Sequence, residues 1–461
     1  VAQPGLTRSR GRGALLGFAA AVGAPVMLAY DPASGGTVPF SRSQGFRDAR
    51  RFATAYVACA AVAALVARVV ERLPDKVPGA LPREGSVAYM RTDLDLALTP
   101  LLAGGSLEHT RGVLTALRAR GYDVQTWSTG PMAGVEAQPL PVVLRPNMGW
   151  EIAELASGLI QAATARGRRR PSAFIYQRYS ANNLAGVIAS RLHGVPLVLE
   201  ANASEVAWRT EWSSLTHPRL ARATERLVLG RSDVIAAVSA NAARGLIEAG
   251  ADPSRTHVVP NGVNVDRFRA PARVQLPFDS GSFVVGFAGL FYPWHGVRFL
   301  SEGFVELHRR RPNSRLLLVG DGEERTLAQS ILEIGGASDA ARVTGVVPAA
   351  EVPGYLAATD VLVCPHARND GFIGSPIKLF EYMAAGRAIV ATNVGQIGEV
   401  LEHRRTALVV APDDPAALAD ALTELHDDKA LRERLGEAAR REAELQHSWD
   451  ARLAKLLEGP G

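Results

Sequence analysis

The stretch DGFIGSPIKLFEYMAAG, residues 370–386, sets a glycine-punctuated turn directly ahead of an apolar helical pattern and puts one lysine and one glutamate in its first turns. Ser375-Pro376 reads as an N-cap followed by a first-turn proline, so a helix is expected over 376–385, stopped by Gly386. Gly371 and Gly374 permit close backbone approach to a ligand, with Phe372 between them. The free N–H groups and positive dipole end of such a helix suit a phosphate, and Lys378 adds a full charge there. Glu381, one turn further on, can accept a hydroxyl hydrogen bond from the same ligand. In isolation the same residues describe a capped helix with a solvated Lys and Glu. Their surroundings turn the reading into an anion site.

Outward from this stretch, the chain alternates strands with helices. After the tight turn PNGVNVDRF (260–268), strands are expected at 283–287, 315–319, 342–343, 361–364, 388–392 and 407–410, with helices between them, including 296–309 and 351–358. A comparable unit precedes it, with SVAYMRTD (86–93) as a first strand. Gly104-Gly105-Ser106 then opens a helix that Gly121 stops, and strands follow at 123–127, 173–177, 197–200 and 234–238, with a helix at 183–193. This order implies parallel sheets covered on both faces. Two such units in series imply facing domains with the ligand site in their cleft. Gly104 and Gly105 stand at a turn that suits a phosphate, and a plain helix N-terminus explains them equally well.

A chain of 461 residues, 47% apolar and 21% charged, has an ordinary globular balance and room for two or three domains. The formal charge of +5 and pI near 9.4 come from arginine, the lysines being only Lys76, Lys378, Lys429 and Lys455. No aromatic-interleaved basic stripe supports nucleic-acid binding. The basic balance fits nucleotide sugars, lipid phosphates or a membrane surface. Cys59 and Cys364 lie far apart inside apolar runs, which suggests a reducing compartment with neither a disulfide framework nor a zinc site. Asp93-Leu94-Asp95 only weakly imitates a metal-binding Asp-x-Asp. The lack of a P-loop or a convincing GxGxxG argues against ATP hydrolysis and NAD chemistry.

Residues 1–85 read as an apolar, Arg-flanked extension ending in a Pro-rich linker at 73–84. Arg8, Arg10 and Arg12 precede an apolar run at 13–30, and Arg47, Arg50 and Arg51 precede a second at 52–67. Both are short against the roughly 20 residues of a spanning helix. A signal peptide, a membrane hairpin or anchor, and an upstream extension without stable structure are the three readings. No small-residue cleavage site follows Tyr30, and arginines on both sides of each run choose no orientation. Val1 is not an ordinary initiator, so the chain either begins inside an open reading frame or spells an alternative start codon.

In order, GGSLEHTRGVLTALRARGYDV (104–124), VVPNGVNVDRF (258–268), VGFAGLFYPWHG (285–296), LLLVGDGEER (316–325), VTGVVPAAEVPGYLAATDVLVCP (343–365) and residues 370–400 resemble the retaining glycosyltransferases of family 4, which have the GT-B fold. The resemblance covers roughly residue 86 to the C-terminus. It implies an N-terminal Rossmann-like acceptor domain at 86–265 and a C-terminal Rossmann-like nucleotide-sugar domain at 266–440. The last segment, 441–461, containing HSWDARLAKLL and Trp449, resembles the family's helix that crosses back to the first domain. The implied activity is transfer of a sugar from a nucleotide sugar, as co-substrate, to an acceptor hydroxyl with the anomeric configuration kept and no bound metal.

In that resemblance Lys378, the amides around Gly374, Ser375 and Ile377, and the Gly104-Gly105 turn stabilise the leaving diphosphate. Glu381 matches the second glutamate of the family's pair, which holds the ribose. The first position of the pair is Ile373, and Asp370 is expected to serve in its place. Leu290 and His295 stand where many members have an arginine and a lysine; His295 can still donate one hydrogen bond. His109 either faces the cleft or is a plain helix histidine. Tyr176 and Arg178 follow one strand and Glu200, Asn202 and Glu205 the next. Tyr176 and Arg178 are expected to line the acceptor site, with a structural role for the aromatics as the alternative, and of the three residues after the next strand one, Glu200, is expected to face it. The expected function is a hexosyltransferase acting on an envelope glycan, exopolysaccharide or lipid-linked acceptor at the inner face of the cytoplasmic membrane. A non-catalytic nucleotide-sugar-binding scaffold and a sugar-nucleotide epimerase are the competing readings.

Overall fold

The computed structural model describes residues 27–31, 36–40, 81–102, 104–144, 150–212, 215–272, 274–369 and 371–457. Strands β1 (Met27–Asp31) and β2 (Gly36–Phe40) form an antiparallel pair, so the apolar run at 13–30 ends in a strand. The rest of that run, the run at 52–67 and most of the linker lie outside the described residues. Among the described residues no helix is long and apolar enough to cross a membrane.

The first domain is built on a seven-stranded parallel sheet. Its strands are β3 (Ser86–Arg91), β4 (Asp123–Ser128), β5 (Gln138–Pro139), β6 (Phe174–Arg178), β7 (Leu197–Ala201), β8 (Val234–Ala237) and β9 (Thr256–Val258), in the order β5-β4-β3-β6-β7-β8-β9. Every residue of β3 is buried, because helices cover both faces. Helices α1 (Leu94–Leu98), α2 (Gly105–Ala119), α3 (Trp150–Arg166), α4 (Ala185–His193), α5 (Glu205–Trp212), α6 (Pro218–Arg231) and α7 (Ala240–Ala249) complete it. Strands β5 and β9 escape the sequence reading because they are short edge strands, and β5 ends in a proline that an inner strand would not tolerate.

The second domain repeats the plan with six parallel strands, β10 (Phe283–Ala288), β11 (Ser314–Val319), β12 (Ala341–Val343), β13 (Val361–Cys364), β14 (Ala388–Thr392) and β15 (Leu408–Val410), ordered β12-β11-β10-β13-β14-β15. Its helices are α8 (Val297–Arg310), α9 (Arg325–Ile334), α10 (Val352–Ala357), α11 (Ile377–Ala385), α12 (Gln396–Val400), α13 (Pro415–Asp427) and α14 (Lys429–Glu442). Each sheet is sandwiched between two apolar clusters. Each reverses strand order beside its first strand, at β3/β6 and β10/β13, and the carboxyl ends there face a shared cleft.

The chain crosses between domains twice. After a π-helical turn at Ala443–His447, α15 (Trp449–Leu457) lies against α2. The crossings are tied together: Val263 N–H donates to the His447 carbonyl (2.9 Å) and Trp449 N–H to the Val263 carbonyl (3.3 Å). Trp449 can lie this close because residue 112 is glycine. A Cβ there would sit 2.0 Å from the Trp449 indole nitrogen.

Candidate active site

Helix α11 begins one residue later than expected, with Pro376 in the cap position. Ser375 does not cap it: its Oγ accepts from Asn261 N–H (2.9 Å) and its carbonyl accepts from Asn261 Nδ2 (2.6 Å), tying the turn to the inter-domain connection. Lys378 Nζ is buried and has no hydrogen-bond partner. It lies 4.5 Å from the centroid of the Phe287 ring and faces Gly289, whose φ is 145° and where a Cβ would come within 2.9 Å of it. Glycine at 289 therefore keeps the space in front of the ammonium open. Burial pulls the Lys378 pKa down to about 8, against the influence of Cys364 and Glu381. Cys364 behind it is pushed up to about 12 by burial and is a neutral thiol. An unpaired buried cation is costly, and an arriving anion removes the cost.

Glu381 lines the same cleft cavity, of about 950 Å³. Burial raises its carboxyl to about 7; Arg267 opposes the rise and Glu108 adds to it. Arg267, from the inter-domain connection, pairs with Glu108 of α2, donates to the Ala349 carbonyl (2.6 Å) and comes within 3.9 Å of Glu381. The sequence reading missed Arg267, because nothing in PNGVNVDRF says which carboxylates it meets.

Gly104, with φ 92°, caps α2 across the cavity, and Gly105 approaches Ile377. His109 and Arg178 also line the cavity, although His109 is only 3% exposed. Arg178 donates to His109 Nδ1 (2.9 Å), which forces the proton onto Nε2, where it is donated to Glu200 Oε1 (3.0 Å). Burial and Arg178 depress the His109 pKa while Glu200 opposes them, so the imidazole is neutral. Although burial opposes it, the hydrogen bond from His109 and the Arg178 guanidinium (3.1 Å) hold the Glu200 carboxyl below its ordinary value. Tyr176 donates to Glu200 Oε2 (2.7 Å). Tyr176 and Glu200, expected to line the acceptor site, instead lie buried behind the wall and hold His109 and Arg178 in place. Trp449 meets His109 edge-on, with ring centroids 4.8 Å apart.

Two further expectations are corrected. His295 lines the cavity as expected, but its Nδ1–H already donates to the Leu290 carbonyl (2.5 Å) and burial beside Lys378 lowers its pKa to about 3, so it brings a phosphate neither charge nor proton. Gly371 and Phe372 do not line the cavity; the Phe372 ring packs against His366 and its carbonyl accepts from Asn241 (3.0 Å). Ile373 packs onto the first domain's core and its carbonyl accepts from Ser239 Oγ (2.7 Å), which explains an apolar residue there. Asp370 lies outside the described residues.

Residues 282–428 match the family described as Glycosyl transferases group 1, and residues 103–267 match Glycosyltransferase Family 4. Over 382 residues, 77% of this chain and 90% of the relative, the sequence is 29% identical to the D-inositol 3-phosphate glycosyltransferase of Pseudarthrobacter chlorophenolicus. It is 31% identical over 299 residues to the 2-deoxystreptamine glucosyltransferase of Streptomyces kanamyceticus, covering 62% of this chain and 74% of that one. Among solved structures, WaaG, a glycosyltransferase involved in lipopolysaccharide biosynthesis, superposes with a TM-score of 0.59 at 18% identity over 81% of this chain and all of that one (100%). Anabaena HepE in complex with UDP superposes with a TM-score of 0.58 at 18% identity, covering 81% and 99% of the two chains. With two facing parallel-sheet domains, both family matches and relatives of this similarity, the chain belongs to the family 4, group 1 type glycosyltransferases of GT-B fold.

Proposed function

We propose that this glycosyltransferase takes a hexosyl unit from a uridine diphosphate sugar and passes it, with retention of anomeric configuration, to an acceptor hydroxyl on the first domain's side of the cleft. The observation that carries this is the Lys378 ammonium, buried without a partner at the start of α11 in a cavity that also holds Glu381. Negative charge grows on the diphosphate oxygens as the bond to the anomeric carbon breaks, and preplaced donors stabilise that charge. Lys378 and the amides from Gly374 to Ile377 supply them on one side, and the Gly104-Gly105 turn on the other. Glu381 accepts hydroxyl hydrogen bonds from the ribose. Asp370 is proposed beside the donor sugar, in place of a carboxylate at 373. Neutral His109 presents its face to the transferred sugar, and Arg178 lies next to it on the acceptor side. The binding of UDP by HepE supports the choice of base.

The Lys378 ammonium and the backbone amides are proposed to supply the positive charge at the diphosphate. The acceptor belongs to an envelope glycan, exopolysaccharide or lipid-linked chain, and residues 1–85 are the segment that would attach the enzyme to the cytoplasmic face of a membrane. The test is a thermal-shift panel of UDP, GDP and ADP on the full chain. At about a hundred times its dissociation constant UDP should stabilise the fold by roughly 2.7 kcal/mol. Glu381→Ala should reduce that shift, and Lys378→Ala should lower turnover more than affinity. Unchanged binding and turnover in both variants would refute the site assignment, and an inverted anomer by NMR would refute retention.

A further inference from the structure

Arg267 enters the cleft where the chain first crosses between the domains. It lies in a short helical turn, Val265–Phe268, that opens with the Asn264 side chain accepting from Asp266 N–H (3.2 Å). Phe268, buried in the second domain's core, closes the turn and fixes the position of the arginine beside it. The Arg267 side chain lines the donor cavity together with Glu108, Ala349 and Glu381.

The oxygens around its guanidinium are used unequally. Nη2 donates to the Ala349 carbonyl of the second domain (2.6 Å). Nη1 donates to Glu108 Oε2 on α2 of the first domain. Glu108 Oε1 accepts from Arg111 (2.9 Å), so both oxygens of that carboxylate are engaged. The same Arg267 Nη1 stands 3.9 Å from Glu381 Oε1, close enough for an ion pair and too far for a hydrogen bond. The Glu381 carboxylate has no hydrogen bond among the described residues. It receives the charge of the cation and keeps its lone pairs open to the cavity, where a direct bond from the arginine would have used one of them.

We infer that Arg267 is a positioning residue for the donor: set between Glu108 of one domain and Glu381 of the other, it supplies the charge that lets Glu381 accept ribose hydroxyls while a second carboxylate stands close by. The inference rests on the reading of Glu381 as the ribose acceptor and says what makes it one. The charged groups that face Glu381 are Arg267, Glu108 from α2 and Lys378 from its own helix. Burial raises the Glu381 carboxyl to about 7; Arg267 opposes the rise, Glu108 adds to it and Lys378 opposes it. Without the guanidinium, burial and Glu108 act against Lys378 alone, and the carboxyl takes up a proton at neutral pH. A protonated carboxyl has less capacity to accept.

The test is calorimetric titration of the full chain with UDP between pH 6 and pH 9. Arg267→Gln should bind about tenfold more weakly than wild type at pH 6, the equivalent of one pH unit in the Glu381 titration. The gap should close towards pH 9, where the carboxyl is ionised in both proteins. Lys378 and the phosphate are common to both and cancel in the ratio. Adding Glu108→Gln to Arg267→Gln should recover most of the loss at pH 6, because the like charge facing Glu381 is gone. Glu108→Gln alone keeps an oxygen for Arg267 and removes only that charge, so it should bind UDP about threefold more tightly than wild type at pH 6 and equally at pH 9. This variant carries the test if Arg267→Gln fails to fold. An arginine that only holds the domains together predicts the reverse: weaker binding in Glu108→Gln, and a loss in Arg267→Gln that is the same at every pH. Either result overturns the proposal, as does unchanged affinity in Arg267→Gln. Unchanged affinity in Glu381→Ala would overturn the ribose reading and this role with it, whereas weaker binding there beside a pH-independent loss in Arg267→Gln overturns this role alone.

Discussion

Lys378 sets the pH behaviour of the donor site. Its pKa, brought down to about 8 by burial, lies below the roughly 10.4 of a free lysine. Between those values the unfolded chain binds the extra proton, so the stability of the unliganded protein rises with pH there; below pH 8 the full cost of the buried charge is present. Lys378→Met should therefore stabilise the unliganded fold at pH 7, by about 2–3 kcal/mol, while weakening diphosphate binding. The wild-type affinity for UDP should fall as pH rises above about 8, by about tenfold per unit until the lysine of the complex also titrates, and Lys378→Met should lose this slope. Denaturation and UDP titrations between pH 7 and 10 check both; a wild-type affinity independent of pH across 8–10 would show that the ammonium does not meet the diphosphate. The spacing of Lys378 and Glu381 was legible in the sequence because it is local to one helix. The roles expected for His295, Tyr176 and Glu200 were not, because each depends on a hydrogen bond between elements.

At the scale of elements, α15 supports the active site from behind. Trp449 occupies space that only glycine at 112 leaves free, and its ring lies edge-on to His109. Gly112→Ala should destabilise the protein by about 1–3 kcal/mol, since α2 or the indole must shift. Turnover should fall as well, because His109 moves with Trp449. A melting temperature unchanged from wild type would show that the crossing helix yields without cost. Sequence resemblance identified the crossing segment, and its terminal tryptophan, but not its glycine counterpart, which lies 337 positions away in the chain.

Across the whole molecule, the turn before α11 holds the domains together. Ser239 caps α7 by accepting from Ala242 N–H (3.1 Å) and donates to Ile373 (2.7 Å); Asn241 reaches Phe372 (3.0 Å), and Gln396 reaches the Val238 carbonyl (2.6 Å). Asn241→Ala should favour an open arrangement, weakening UDP binding about fivefold, the equivalent of one hydrogen bond of about 1 kcal/mol, with little change in melting temperature because each domain keeps its own core. Small-angle scattering of UDP-free protein should show a larger radius of gyration; identical scattering and affinity would mean that these bonds do not govern closure.

The sequence by itself determined two parallel α/β domains, since apolar runs such as Phe283–Ala288 alternate with amphipathic helices and such strands are stable only when helices cover both faces. It also determined the lysine and glutamate of α11, whose spacing is a property of one helix. Only the tertiary structure decided that Ser375 bonds to Asn261 and that Arg267 joins Glu108 near Glu381. Periodicity records which face of an element is buried. Which side chains then meet depends on strand order and on how the two domains close, and no local spacing encodes that.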